Sequence, residues 1–385
     1  RCLMNNSDPL KGKKLLFLIN DPVFSGNGVS IKIQSQLEAL SNLCQHVYFS
    51  HLSEDGKKRL VDNHCLKNNK ILENIPYLQR YDFKSLLDFI FSNKVDILYI
   101  RYTHFSSPGF IGFLKILSEN KIRIILEFPT YPYDDEYKSL PLKSNIKLFI
   151  DKKYRKNLRK YVDKAVTFTD DFDIFGIPTI RISNALSKSR IKYANDHIHN
   201  DFETQGNNIR LVAVASMEKW HGYDRLLMGL SKFIEKSEQV NIHLDLIGDG
   251  RELGTLKQLS NNLNINDHVT FHGQMEGEKL SQLLLNANIG IDSLARHRAG
   301  NNKNNSLKSK EYLAFGLPIV KSHIDPSLNG RGYYMDVPAN EMPINLCEVI
   351  SWYVNNDFHN KKLEISNYAK VNFSWESQMD IILRS

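Results

Sequence analysis

Short apolar runs recur along this chain with room for one helix between each pair, and that alternation restricts the fold more than any other feature. Leu15 to Ile19, His46 to Phe49, Asp96 to Tyr102 and Arg123 to Phe128 form one series; Ile209 to Ala215, Ile242 to Ile247 and Asn288 to Ser293 form a second. Runs this short and this apolar read as parallel strands buried on both faces. Helical patterns lie between them, at Ile31 to Leu40, at Phe83 to Phe91 and from Ser107-Pro108, where proline suits a first turn. Each half is therefore expected to be a parallel α/β sheet, with ligands beyond the carboxyl ends of its strands. Ala165 to Thr169 and Thr179 to Ile182 close the first series, and the boundary falls at Ser183-Asn184-Ala185. The expected domains are residues 1–183, residues 184–360, and a segment 361–385 that crosses back to the first. Phe373, Trp375, Met379 and Ile382 would be the packing face of that segment. Residues 53–80 read as irregular, 187–208 as a linker or long loop, and 341–355 and 359–384 as closing helices.

The 385 residues are enough for two full cores, and 42% hydrophobic with 24% charged residues is a globular balance. Four cysteines without metal spacing read as reduced thiols. No apolar run approaches the roughly 20 residues that span a bilayer, and no signal peptide is apparent. A net charge of +7 suits an anionic partner. Nucleic acid is disfavoured because no recognition motif accompanies the charge.

The chemistry of the second half concentrates in Asn301 to Lys321, NNKNNSLKSKEYLAFGLPIVK. Asn304, Asn305 and Ser306 precede an amphipathic run from Leu307 to Phe315. Gly316 ends it where a helix favours positive φ, and Leu317-Pro318-Ile319-Val320 starts a strand. Ser306 is the expected N-cap, its hydroxyl accepting a first-turn N–H. A helix start under a small polar loop gathers unpaired N–H groups and suits a diphosphate. Lys308 and Glu311 share a face. The ammonium can pair with phosphate and the carboxylate can accept two sugar hydroxyls, or the two form a local ion pair on an ordinary surface helix.

The run Lys308 to Pro318 resembles the nucleotide-sugar segment of family 4 glycosyltransferases, which have the two-domain GT-B fold and often read Lys-x-x-Glu-Tyr-(Leu/Met)-Ala-x-Gly-x-Pro there. The resemblance implies that Glu311 holds the donor ribose, that the backbone around Asn305, Ser306 and Leu307 holds the diphosphate, and that Lys308 neutralises its charge. Ser216 to Leu227 resembles the family's turn that brings cations to the diphosphate, which places Ser216, Lys219 and His221 there; many relatives have Arg and Lys at the first and last of these positions. Arg296, His297 and Arg298 are further cationic candidates. Val269 to Met275 resembles the segment bordering the base, with Gln274 and Met275 at its end. Gly248, in Gly248-Asp249-Gly250, would let the backbone approach the nucleotide. Two departures stand out: Lys303 occupies a position seven before Glu311 that is acidic in many members, and Ala185 replaces a hinge glycine.

In the first half, Gly26-Asn27-Gly28 follows the first strand. It lacks the third glycine of a dinucleotide fingerprint, which disfavours NAD; the resemblance places it over the inter-domain cleft, by acceptor and donor phosphate. The next strand ends carry Arg101 and His104, then Glu127 and the aromatic, acidic loop Pro129 to Glu136. Arg101, Tyr131, Tyr133 and Asp134 are the acceptor-binding candidates, and Glu127, His104 and Lys219 the catalytic ones. Asp134-Asp135 is not a metal-ligand set, and no metal or cofactor is expected. Lys138 to Lys164 reads as a basic amphipathic helix, with residues 143–160 expected to touch an anionic membrane.

The resemblance, with the α/β pattern, implies a retaining glycosyltransferase of α/β, GT-B architecture with its active site in the inter-domain cleft. It would move a hexose from a nucleoside-diphosphate sugar, UDP-sugar favoured, to a glycan or lipid-linked acceptor. The expected location is cytoplasmic, peripheral on the inner face of the plasma membrane. The alternatives are a nucleotide-sugar epimerase of the same fold and a catalytically inactive nucleotide-sugar-binding subunit.

Overall fold

Leu15, Leu16, Phe17 and Leu18 are completely buried in strand β1 (Lys14–Pro22), as a strand covered on both faces requires. The computed structural model describes residues 9–24, 28–66, 76–134, 142–198, 208–236, 240–300, 302–328 and 332–385. The chain divides into two units, residues 1–183 with 375–385, and residues 184–374.

The first unit continues with helix α1 (Gly28–Leu43), β2 (His46–Leu52), β3 (Arg59–Val61), β4 (His64–Cys65), α2 (Phe83–Ser92), β5 (Ile97–Arg101), α3 (Pro108–Glu119), β6 (Arg123–Phe128), α4 (Leu142–Tyr154), β7 (Lys164–Thr167), β8 (Asp173–Ile174) and β9 (Ile177–Arg181). The sheet order is β4-β3-β2-β1-β5-β6-β7-β9-β8. The centre is parallel, and β3-β4 and β8 add antiparallel edges. Residues 53–80 are thus not wholly irregular: β3 and β4 form there. Strands of three and two residues are too short to show periodicity; β3 is held by pairing to β2 and β4 by pairing to β3. Ser107 caps α3 by accepting from Phe110 N at 3.3 Å, with proline in the first turn.

The basic segment is shorter than expected as an α-helix. It runs from Leu142 to Tyr154 and tightens into a 3₁₀ turn over Arg155–Lys160. Leu148 and Asp151 face inward and are buried, whereas Ile146, Phe149 and Ile150 form an exposed stripe, Phe149 being 70% exposed.

The second unit begins with α5 (Lys188–His197), a correction to the expected linker. Only Ile191 and Ala194 of α5 are buried, so its amphipathic signal in sequence is weak. Ser187 caps it through Arg190 N at 3.2 Å. Then follow β10 (Asn208–Val214), α6 (Tyr223–Ile234), β11 (Asn241–Ile247), α7 (Leu253–Asn262), β12 (Val269–Gly273), α8 (Gly277–Asn286), β13 (Ile289–Ile291), α9 (Leu307–Ala314), β14 (Ile319–Lys321), β15 (Tyr334–Asp336), α10 (Leu346–Asn355) and α11 (Lys362–Asn372). The strands pair in the order β12-β11-β10-β13-β14-β15, all in parallel. Their carboxyl ends therefore share one edge, where loops from four strands converge.

The closing segment is two helices. After α11, a break at Phe373-Ser374 leads into α12 (Trp375–Arg384), which packs on α1 in the first unit. Its last carbonyls accept from Arg123, at 2.5 Å for Leu383 O and 3.3 Å for Ile382 O. The expected packing face is split: Phe373 joins the core of the second unit, while Trp375, Met379 and Ile382 are buried on α12.

Candidate functional site

Asp292 organises the carboxyl edge of the second sheet. It follows β13 directly and is completely buried. Ser309 Oγ donates to it at 2.6 Å, Ser293 N at 2.7 Å, and the Lys308 ammonium lies 3.0 Å away. Burial alone would raise its pKa. Lys308, His323 and the Ser306 and Ser309 hydroxyls outweigh that and hold the carboxyl far below the usual range. Ser306 stands at the N-cap position of α9, but its side chain does not cap the helix; it serves Asp292. Its N–H donates to Asp325 Oδ2 at 3.2 Å. Asn305 is tied to Asn184, whose amide Nδ2 donates to the Asn305 carbonyl at 3.0 Å. Leu307, half exposed, opens the helix.

The alternative local pair Lys308–Glu311 does not form among the described residues. Lys308 turns to Asp292, and Glu311 turns to Arg190 on α5. Arg190 Nε and Nη2 both donate to Glu311 Oε1, at 2.9 and 2.6 Å. The same guanidinium reaches Ser281 Oγ at 2.5 Å and stacks on Phe315 with its centre 4.5 Å from the ring centroid. Glu311 Oε2 takes no hydrogen bond from the described residues. The carboxylate is thus held by one oxygen and open at the other.

Ser216 and Lys219 are exposed at the turn after β10. His221 is buried, and its Nδ1 accepts from Glu218 N at 3.1 Å, which leaves the ring proton on Nε2. Burial, then the nearby Lys308 charge, pull its pKa down to about 3. At neutral pH His221 is therefore an N–H donor and not a cation, because charging it would place a third positive group beside Lys308 and Arg296. His297 and Arg298 are also committed: both bind Glu341, and Arg298 pairs with Asp224 at 2.8 Å. Arg296 has no ion-pair partner among the described residues, and its Nε is buried without an acceptor. The cations left at this edge are Lys219, Arg296 and the partly countered Lys308.

Gly248 owes its identity to packing. Its φ is +125°, and a Cβ there would come within 1.9 Å of the Ala215 carbonyl. The turn lies close against the loop after β10. Gln274 is exposed and Met275 half buried against the core beside it.

In the first unit the candidates are more buried than the sequence implied. Glu127 has no exposed surface. It pairs with Arg101 and accepts from Tyr99 Oη at 2.6 Å and Gln36 Nε2 at 2.7 Å. Burial raises its pKa, but Arg101, Lys32 and these donors bring it below the usual value. Glu127 and Arg101 therefore form a buried ion pair that fixes adjacent strand ends. Tyr133 is likewise buried; its hydroxyl donates to Asp151 at 2.6 Å, so it is not a free sugar platform. His104 stacks on Tyr133 at 3.6 Å, and burial followed by Lys147 lowers its pKa to about 4. Asp134 is engaged by Arg155 at 2.7 and 3.1 Å and by Lys152 at 3.1 Å. Tyr131 packs edge-on against Phe128 and Phe175. Gly26, Asn27, Asp135 and Glu136 lie outside the described residues, and Gly28 begins α1. A cavity of about 540 Å³ lined by Lys13, Asp96, Lys121 and Arg123 sits at the amino ends of the strands, away from all these groups.

The sequence missed Asp292 and Arg190. An aspartate directly after an apolar strand was the available signal for the first. Nothing local marked the second, since its partner is 121 residues away.

The model of the group 1 glycosyl transferases matches residues 195–328, which contain β10 to β14. The match and the shared architecture support a glycosyltransferase. The fold is that of GT-B glycosyltransferases. A glycosyltransferase from Rickettsia africae superposes with a TM-score of 0.54 at 15% identity, covering 97% of each chain. Anabaena HepE, solved with UDP, gives 0.54 at 12% identity over 97% of this chain and 99% of that one. Sucrose-phosphate synthase from Thermosynechococcus elongatus gives 0.54 at 15% identity over 97% and 98%. No curated protein matches the sequence. Among the described residues no helix is long and apolar enough to cross a membrane, and no cluster of His, Cys, Asp and Glu is arranged to hold a metal.

Proposed function

We propose that this chain is a retaining family 4 glycosyltransferase that moves a hexose from a nucleoside-diphosphate sugar to a glycan or lipid-linked acceptor. The observation that carries the donor reading is Glu311, held by Arg190 through Oε1 with Oε2 open. A carboxylate so fixed accepts a ribose hydroxyl without moving. The diphosphate would meet the backbone N–H groups at the start of α9, the N–H of His221, and Arg296, Lys219 and Lys308. Stabilising the departing diphosphate is the main electrostatic task, and these groups do so without a metal or other cofactor. UDP is favoured as the carrier because HepE was solved in complex with UDP. Neither Glu127 nor His104 serves as a base here; the first is buried and the second a weak acceptor of protons.

The exposed Ile146, Phe149 and Ile150 on α4, next to Lys152, Lys153 and Lys156, favour a peripheral contact with an anionic membrane carrying the acceptor. The test is UDP release from UDP-glucose and other UDP-sugars, with lipid-linked glycans in anionic vesicles as acceptor. Release only with acceptor, lowered by Phe149→Ser, is expected. Conversion of the sugar without acceptor would identify an epimerase, and no turnover alongside intact UDP binding would identify a binding subunit.

A further inference from the structure

Four side-chain donors at the carboxyl end of β1 lack an acceptor. Asn20 and Asp21 lie there, bonded to Arg59 on β3 and to Arg80 in the turn Leu78–Tyr81, with Gln79 behind them and Lys147 of α4 within electrostatic reach of Asp21 and Arg80. Arg59 is completely buried yet makes no ion pair among the described residues. It donates to Ser50 Oγ at 3.4 Å, the Gln79 carbonyl at 3.2 Å and Asn20 Oδ1. Its Nε, Gln79 Nε2 and Arg80 Nε are all buried without partners, and so is Gln79 Oε1. Lys147 is half buried on the inward side of α4 and has no hydrogen bond or ion pair with the described residues. Burial lowers its pKa, and the electrostatic pull of Asp21 and Asp151 does not restore it.

The carboxylates near this cluster are already occupied. Asp21 is paired with Arg80 Nη2 at 2.6 Å. Asp82 caps α2 through Ser85 N at 3.2 Å and Ser85 Oγ at 2.7 Å. Asp151 accepts from Tyr133, Tyr102 and Ser106 N, the last at 2.9 Å. Buried donors are almost always satisfied, and an unpaired buried guanidinium is costly. Several such donors around one strand end, at the edge where doubly wound sheets take ligands, mark a site completed by an anion.

We infer that the carboxyl end of β1 binds the phosphate of a phosphorylated saccharide, with Lys147 and Arg80 on the phosphate and the buried Arg59 and Gln79 supporting from behind. A tetrahedral phosphate accepts from the several directions in which these donors stand, whereas a carboxylate offers two oxygens in one plane. That the ligand is the acceptor rests on the sugar-transfer reading; the site itself does not.

The experiment is calorimetric titration of the full chain with glucose 1-phosphate, decyl phosphate and glucuronate. Lys147→Gln and the double variant Lys147→Gln, Arg80→Gln are compared with the exposed control Lys115→Gln on α3. Lys147→Gln breaks no ion pair and is expected to fold normally. Phosphate binding should weaken about tenfold in Lys147→Gln and further in the double variant, each tenfold step matching about 1.4 kcal/mol, with phosphate binding by Lys115→Gln and all UDP affinities unchanged. Tighter binding of glucose 1-phosphate names a soluble source for the phosphate, and tighter binding of decyl phosphate a lipid-borne one; either order keeps the site. Equal phosphate affinity in wild type and double variant, or a preference for glucuronate, would overturn it. Lys147-dependent phosphate binding without any UDP binding would keep this site and overturn the transferase reading.

Discussion

Replacing Glu311 with alanine is expected to weaken UDP binding by about tenfold to a hundredfold while the fold persists. A hydrogen bond to a charged group is worth roughly 1.5–3 kcal/mol, and each 1.4 kcal/mol is a factor of ten in affinity. Glu311 is partly exposed, and Arg190 keeps Ser281 and the Phe315 ring when the carboxylate is gone, so no buried charge is stranded. Arg190→Ala should cost less, because Oε2 remains and only its orientation is loosened. Titration with UDP and with its 2′,3′-dideoxy analogue separates the ribose contact from everything else. The wild type should prefer UDP, and Glu311→Ala should bind both nucleotides alike. Equal affinity for the two in the wild type would remove Glu311 from the donor site.

Asp325→Ala should cost about 3–5 kcal/mol of stability, the range for breaking a buried ion pair from one side. Asp325 and Lys310 are both buried and paired, and burial already lowers the lysine's pKa despite its partner. Asp325 also accepts from Ser306 N and from Ser327 N at 3.0 Å, so its loss frees the entry to α9 as well. Since a protein's whole stability is about 5–15 kcal/mol, denaturant unfolding should show the loss plainly. Adding Lys310→Met removes the stranded ammonium and should recover a good part of it. A single variant as stable as the wild type would mean the pair carries no such charge.

The strands and α9 were legible because their signals are local. An apolar run bounded by glycine or polar residues needs no knowledge of its neighbours, and Gly316 at φ +74° closes α9 as its position implied. What escaped was everything set by distant partners. α5 has two buried positions and is stabilised by packing against later helices, so its sequence resembled a linker. Lys308 and Glu311 looked like a pair until Asp292 and Arg190 claimed them. Glu127 and Tyr133 carry chemistry that suits a sugar site, yet Arg101, Gln36, Tyr99 and Asp151 bury and saturate them. Residue type reveals what a group can do; its partners decide whether it is available to do it.

The measurement that bears most directly on the donor site is thermal unfolding of the intact chain with uridine, UMP, UDP, UDP-glucose and GDP. The account predicts stabilisation by UDP and UDP-glucose, about 2.7 kcal/mol at a hundred times Kd, less with UMP, and none with uridine. That ladder is what cations and α9 N–H groups would produce if they hold two phosphates. No shift with any nucleoside diphosphate, or equal shifts with uridine and UDP, would contradict it.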